Sequence, residues 1–244
     1  MDKNEFYTDL FHKFRKLVED NGLLNEEVKI TGRTLTAEEA IGNTERKDFP
    51  IIKGKEKLLE ADFRDTKGQA FTDMPNNFTG NLKQIIEMPL NTNFDTAVYI
   101  ATLNAVCRYL QITSNTIHCK DGEPENCALE LVEYIKNKYG NPKIALIGFQ
   151  PAMLENLAKN YDVRIVDLDD NNIGKVKYGV LVENGNNTID DLLNWCDIVV
   201  ATGSTIANKT ITNVLFDKPT IFFGTTLAGA AALMRLERFC PCSK

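Results

Sequence analysis

Cysteine is the residue type with the most chemistry to offer in this chain. Of its six cysteines, two stand two apart in Phe239-Cys240-Pro241-Cys242-Ser243-Lys244. Two more bracket a polar stretch, His118-Cys119-Lys120-Asp121-Gly122-Glu123-Pro124-Glu125-Asn126-Cys127. Thiolates are soft ligands that select zinc, copper(I) and iron–sulfur iron. His118, Cys119, Cys127, Cys240 and Cys242 are therefore the expected ligands of a heavy or transition metal ion. Cys119 and Cys127 are separated by seven residues that include Gly122 and Pro124, a loop able to bring both sulfurs to one ion. Cys240 and Cys242 share a face if the tail is extended. No Cys-x-x-Cys occurs, so the usual zinc-knuckle spacing is absent, and packed or exposed thiols without a ligand are the competing reading. Cys107 and Cys196 read as packing thiols, and His12 as a surface residue.

A second set of residues suits an anion. Gly148-Phe149-Gln150-Pro151, Thr202-Gly203-Ser204-Thr205 and Gly224-Thr225-Thr226 each follow an apolar run that reads as a strand and lead into a helical pattern. Backbone N–H groups at helix starts, with Ser and Thr hydroxyls beside them, bind phosphate-like groups. Gly148, Gly203, Ser204, Thr205, Gly224, Thr225 and Thr226 are thus expected to line a ligand crevice, with Gln69, Thr72 and Asp73 of a loop over 68–73 closing on it. The alternative is plain turn and cap chemistry. The dinucleotide fingerprint is missing: Gly148 lacks the later glycines, and Pro151 fills the loop. Asp167 and Asp169 stand where a ribose-binding acid would. Two histidines, neither close in sequence to a strand-end nucleophile, give no Ser–His–Asp arrangement. Glu45, Arg46, Lys53, Lys55 and Glu56 read as a solvated charged face.

The elements that must position these residues change character along the chain. Phe6, Leu10, Phe14, Leu17 and Val18 recur at helical spacing. Strands are expected over 28–35 and 50–53, an element of open type over 58–63, a loop from 66 to 80, and a helix rich in small residues over 95–110. From about 126 the order becomes helix, strand, helix, strand: strands over 143–148, 163–168, 197–201 and 219–223, and helices over 129–139, 153–159, 189–195, 205–214 and 227–235. That alternation predicts an α/β fold with a doubly wound parallel sheet. A boundary falls in the polar stretch over 112–126, giving domains 1–120 and 121–244.

Composition sets the class. The 244 residues carry a net charge of −6, which argues against non-specific nucleic-acid binding and against an anionic membrane surface. No apolar run approaches the ~20 residues that cross a bilayer. The first residues carry acids and no apolar core, so no signal peptide is expected, and cytoplasmic residence follows. There, six cysteines are reduced thiols or ligands rather than disulfides.

Lys53-Gly54-Lys55-Glu56, Gly68-Gln69-Ala70-Phe71-Thr72-Asp73, Ala101-Thr102-Leu103-Asn104-Ala105 and His118-Cys119-Lys120-Asp121 resemble the putative heavy-metal chelation family, over nearly the whole chain. The resemblance implies a smaller α+β domain similar to the enolase N-terminal fold, followed by a Rossmann-like domain. It implies a role in heavy-metal chelation or metal-cofactor metabolism, such as anaerobic cobalamin synthesis, and supplies no established catalytic residues to carry over. The expected protein binds a metal or metal-bearing small molecule between its domains. The alternative is an enzyme of small-molecule metabolism using a nucleotide-like or S-adenosylmethionine-like ligand. A homo-oligomer is compatible with either.

Overall fold

The computed structural model describes residues 3–24, 30–53, 56–74, 76–215 and 218–244. Helix α1 (Lys3–Asp20) buries Phe6, Leu10, Phe14 and Val18, the stripe that the four-residue spacing predicts. Strand β1 (Ile30–Leu35) precedes the short α2 (Ala37–Ile41), which opens on a capping box between Thr36 and Glu39. Strands β2 (Lys57–Phe63), β3 (Thr66–Thr72) and β4 (Phe78–Gly80) complete an antiparallel sheet of order β3-β2-β1-β4. The expected loop over 66–80 is therefore largely strand, whereas 50–53 is a turn. Arg64 and Asp65, both at positive φ, form the two-residue hairpin turn between β2 and β3.

After α3 (Leu82–Ile86) comes α4 (Asn93–Tyr109), laid across β3 and β2. Its small residues permit a close approach. A Cβ at Gly68 of β3 would lie 2.3 Å from the Ala101 carbonyl oxygen and 2.3 Å from the Ala105 nitrogen. Asn104, fully buried on α4, donates to the carbonyls of Gln69, Thr225 and Thr226 and accepts from the Gly229 N–H at 2.7 Å. One side chain thus joins the antiparallel sheet to the far part of the chain.

The second sheet holds β5 (Ile144–Ile147), β6 (Val163–Asp167), β7 (Val176–Lys177), β8 (Val180–Asn184), β9 (Ile198–Thr202), β10 (Thr220–Phe223) and β11 (Arg238–Phe239). Its order is β11-β10-β9-β5-β6-β8-β7, parallel throughout except for the β7 edge. The order reverses between β5 and β9, the switch point of a doubly wound sheet. Helices α5 (Glu123–Tyr139) and α6 (Pro151–Asn160) cover one face, meeting Ile144, Leu146, Ile165 and Val200. Helices α7 (Gly185–Trp195) and α8 (Ala228–Met234), with α1, cover the other, meeting Ala145, Val166, Val199 and Phe222. These strands are apolar on both sides because both faces are covered.

Two further expectations need correction, and two features were not expected. The helix over 205–214 is two short 3₁₀ turns, Gly203–Ile206 and Ile211–Asn213, because Thr205, Thr210 and Thr202 spend hydroxyls on nearby backbone and side chains instead. The β7–β8 hairpin and β11 carry no strong periodic signal and emerge only from pairing. Arg46, read as part of a solvated face, binds Glu125, Glu155, Asp48 and Tyr178 with its side chain 19% exposed; Lys55 lies outside the described residues. Among the described residues no helix is long and apolar enough to cross a membrane.

Candidate metal centre

Three separate segments carry the four cysteines. The first is 115–119, laid along the free edge of β3. Gln69 N–H donates to the Thr116 carbonyl at 3.1 Å, and the Thr116 hydroxyl donates to the Lys67 carbonyl at 2.6 Å. The second is the start of α5. Gly122 is its N-cap and Pro124 stands in its first turn, where the missing N–H costs nothing, so Cys127 is helical rather than the far end of a loop. Upstream, Asp121 accepts from the Asn43 N–H at 2.7 Å, fixing 119–122 against α2. The third is the tail. Parallel pairing of Phe222 with Arg238 and Phe223 with Phe239 makes β11 the edge strand, so Cys240 sits at the carboxyl end of a parallel strand, where such sheets hold ligands.

The tail is tied to the first segment. Lys244 and Ile117 exchange both backbone hydrogen bonds, at 2.8 and 2.9 Å. Arg108 donates to the Lys244 carbonyl, and Asn115 to the Cys240 carbonyl. Segment 115–119 is therefore sandwiched between β3 and the tail.

The result places Cys119, Cys127, Cys240 and Cys242 in mutual electrostatic reach. Cys240, Cys119 and Cys242 all bear on Cys127 electrostatically, and Cys242 packs against the apolar cluster that contains Cys127. In the tightly coupled Cys127–Cys240 pair, the hydrogen bond from Cys127 lowers the pKa of Cys240, helped by the Arg238 guanidinium. The same hydrogen bond, with burial, pushes Cys127 up. Burial, then the neighbouring thiols, pushes Cys119 up. Burial first, then Glu130, raises Cys242, whose sulfur lies 3.8 Å from the Glu130 carboxylate.

His118 is half-buried, its ring edge-on to Phe71 at 5.5 Å. Its Nδ1 lies 2.6 Å from the Cys119 carbonyl oxygen. A carbonyl only accepts, so Nδ1 carries the proton and Nε2 keeps its lone pair. Burial lowers its pKa, favouring the neutral imidazole that a metal requires. The donor types therefore fit a soft metal. Among the described residues, however, no three His, Cys, Asp or Glu side chains already stand in a metal-holding arrangement. Cys107 and Cys196 are buried apart from this cluster, in the main core, and His12 is exposed.

The strand-end residues behave differently. The Gln150 side chain caps its own helix, and Thr202 accepts from the Ser204 N–H. The Thr205 hydroxyl donates to the Thr202 carbonyl, and the Ser204 hydroxyl accepts from Thr202. Gly148 and Gly224 adopt φ of +88° and +94°, turns that glycine makes without strain. Gly203 packs against Leu227. Thr226 accepts from the Phe71 N–H at 3.1 Å, while the buried Thr225 hydroxyl has no partner among the described residues. Asp167 accepts from Phe149, Leu168, Asp169 and Asn172, and so is spent on its own loop. Gln69 is buried, bonded to His118 and Glu60. Thr72 caps Met74, and exposed Asp73 accepts from Asn93. In the Gly68–Asp73 segment, Phe71 meets Thr226 at the end of β10, while the Gln69 side chain is bonded to the His118 N–H and to Glu60.

Sequence reasoning missed Arg238 and Asn115, and read Glu56 as part of a solvated face. Arg238 stands one residue before Phe239-Cys240, and a cation so close to a Cys-Pro-Cys run was a usable signal. Glu56, half-buried, is raised to about 7 by burial, then by Asp167, Asp169 and Asp73.

The model of the DUF364 family, described as putative heavy-metal chelation, matches residues 130–231. That span holds none of Cys119, Cys127, Cys240 and Cys242. A protein of unknown function from the DUF364 family of Pyrococcus horikoshii superposes with a TM-score of 0.53 at 16% identity, covering 89% of this chain and 79% of that one. This likeness concerns the fold. Another from Desulfitobacterium hafniense DCB-2 gives 0.48 at 14% identity, covering 73% and 72%. No curated protein matches.

Proposed function

From the family match and the sulfur cluster together, we propose that this chain binds a soft heavy or transition metal ion through thiolates of Cys119, Cys127, Cys240 and Cys242, with His118 Nε2 in reserve. One observation carries the reading: four of six cysteines, drawn from three segments up to 123 residues apart (242 − 119), lie within electrostatic reach of one another, apart from Cys107 and Cys196. A bound ion would be held where 115–119, α5 and the tail meet. Thiols must lose protons to bind, so uptake releases protons and weakens as pH falls.

The test is titration of reduced, untagged protein with cobalt(II), read by thiolate-to-metal charge transfer, beside the metal content of the purified protein. Replacing Cys127 and Cys240 by serine should abolish the signal, and replacing Cys107 or Cys196 should not. Full binding after all four cluster cysteines are replaced would end the reading.

A second reading keeps a nucleotide-like or S-adenosylmethionine-like ligand at the strand ends around Gly148, Gly203 and Gly224. The buried, unpartnered Thr225 hydroxyl supports it. A ligand there should raise stability by roughly 2.7 kcal/mol at a hundredfold excess over its dissociation constant. No melting shift with phosphate, ATP or S-adenosylmethionine would remove it.

A further inference from the structure

Cys119 and Cys127 are closed off from solvent, at 6% and 4% exposure, whereas Cys240 and Cys242 are half-buried. Segment 240–244 lies across the two buried ones. On one side it runs along 115–117. Ile117 and Lys244 exchange both backbone hydrogen bonds, and Asn115 donates to the Cys240 carbonyl at 3.0 Å. On the other side it reaches α5. Lys244 Nζ lies 3.5 Å from the Glu123 carboxylate, and Cys242 Sγ lies 3.8 Å from that of Glu130. Glu123, Cys127 and Glu130 are spaced i, i+4, i+7, so they share one face of α5 with Cys127 in the middle. The segment thus touches that face on both sides of Cys127. Cys119 is bracketed in the same way. Ile117 pairs with Lys244, and the Lys120 N–H donates at 2.7 Å to Glu123, the carboxylate that Lys244 meets.

The two ends of this cover are held differently. Its root is part of the sheet: β11 pairs with β10, and Arg238 donates to the Gly224 and Asn115 carbonyls at 2.8 and 2.6 Å. Residues 240–244 form no helix or strand of their own. Their far end is latched by Arg108, which donates to the Lys244 carbonyl at 2.7 Å and to the Thr116 hydroxyl at 3.0 Å. A short segment held by a few hydrogen bonds opens locally, at far lower cost than unfolding the domain. Cys107 and Cys196 sit in the main core and have no such route to solvent.

We propose that segment 240–244 is a hinged cover that lifts from 115–117 and α5 while β11 stays in place, and that access to Cys119 and Cys127 waits on this opening. Arg108 is the positioning residue that keeps it shut. Cys240 and Cys242 travel with the cover, so closing it brings them back toward the other two cysteines. The cover stands on the contacts above; its use as the entry gate of a metal ion rests on the thiolate reading.

The test is pulsed alkylation of the reduced full chain with iodoacetamide, at low conversion so that each molecule carries at most one label, read residue by residue by peptide mass spectrometry. Cys119 and Cys127 should label at least about a hundredfold faster than Cys107 and Cys196, because local opening is far more frequent than global unfolding. Arg108→Met should speed Cys119 and Cys127 by one common factor of about ten, the effect of losing a hydrogen bond from a charged group. Asn115→Gly, which removes the bond to Cys240 and suits the φ of +59°, should also speed both together. Ratios of variant to parent at each residue cancel its intrinsic reactivity. Should a variant destabilise the whole chain, Cys196 speeds up with it, and the denaturant dependence in the parent decides: shallow at Cys119 and Cys127, steep at Cys107 and Cys196. Labelling of Cys119 and Cys127 at the core rate, a steep dependence at both, or a folded Arg108→Met protein that leaves them unchanged overturns the cover. Cobalt(II) uptake should quicken by the same factor as labelling. Gated labelling in a protein that takes up no cobalt(II) keeps the cover and removes the thiolate reading.

Discussion

Gln69 holds His118 in place: its side-chain oxygen accepts the His118 backbone N–H at 2.7 Å, while its amide donates to Glu60 at 2.7 Å. A buried glutamine on the edge strand of the antiparallel sheet thereby fixes the segment that carries Cys119. The link runs from β2 through β3 to the sulfur cluster.

Gln69→Ala should therefore do two things. It leaves the His118 N–H and the buried Glu60 carboxylate each short of a partner, which costs about 2–3 kcal/mol. It also frees 115–119 from the β3 edge, so Cys119 should react faster with a thiol reagent. Denaturant midpoints and labelling rates measure the two effects. Unchanged labelling of Cys119 would show that the tail alone holds the segment.

Gly68 is required for a packing reason. An added Cβ meets the Ala101 carbonyl oxygen and the Ala105 nitrogen at 2.3 Å, and these backbone atoms belong to a helix that cannot yield locally. Gly68→Ala should cost about 3 kcal/mol, at the upper end for an overpacked core. A melting temperature equal to that of the parent protein would show that α4 does not lie this close to β3.

Glu56 sets a pH dependence. Its carboxyl is raised from the ordinary 4.5 to about 7 by burial and by Asp167, Asp169 and Asp73. Between those values the folded state keeps a proton that the unfolded chain has lost, so stability falls as pH rises through this window and levels off above 7. Glu56→Gln should remove that slope and gain about 1–3 kcal/mol above roughly pH 7. Chemical denaturation from about pH 4 to 8 reads it, and parallel curves for the two proteins would refute the assignment.

Much of the C-terminal half was legible in the sequence. Runs such as Ile144-Ala145-Leu146-Ile147 are apolar on every residue because both faces of a parallel strand are covered. They alternate with helical stripes such as that of α5, whose Leu131, Val132 and Ile135 are buried. The β3 strand was not legible. Thr66, Lys67, Gly68 and Gln69 have turn-like or polar side chains, and strand geometry there is imposed by β2 on one edge and by segment 115–119 on the other. Likewise Thr205 to Val214 has a helical apolar spacing, but local hydroxyl bonds hold it in 3₁₀ turns.

Residue identity was enough to say which side chains can ligate a soft metal, since that depends only on sulfur and imidazole chemistry. It was enough for the parallel sheet too, since burial on two faces writes itself into consecutive residues. Only folding brings Cys119, Cys127, Cys240 and Cys242 within electrostatic reach of one another, apart from Cys107 and Cys196. Folding also sets Gln69 against the His118 N–H and Arg238 against the Gly224 and Asn115 carbonyls. The tail is brought to segment 115–119, more than a hundred residues away, by Lys244 pairing with Ile117, and is held at the sheet edge by β11 pairing with β10. Such pairing is carried by backbone hydrogen bonds, which are common to nearly all residue types and so leave no mark in the sequence.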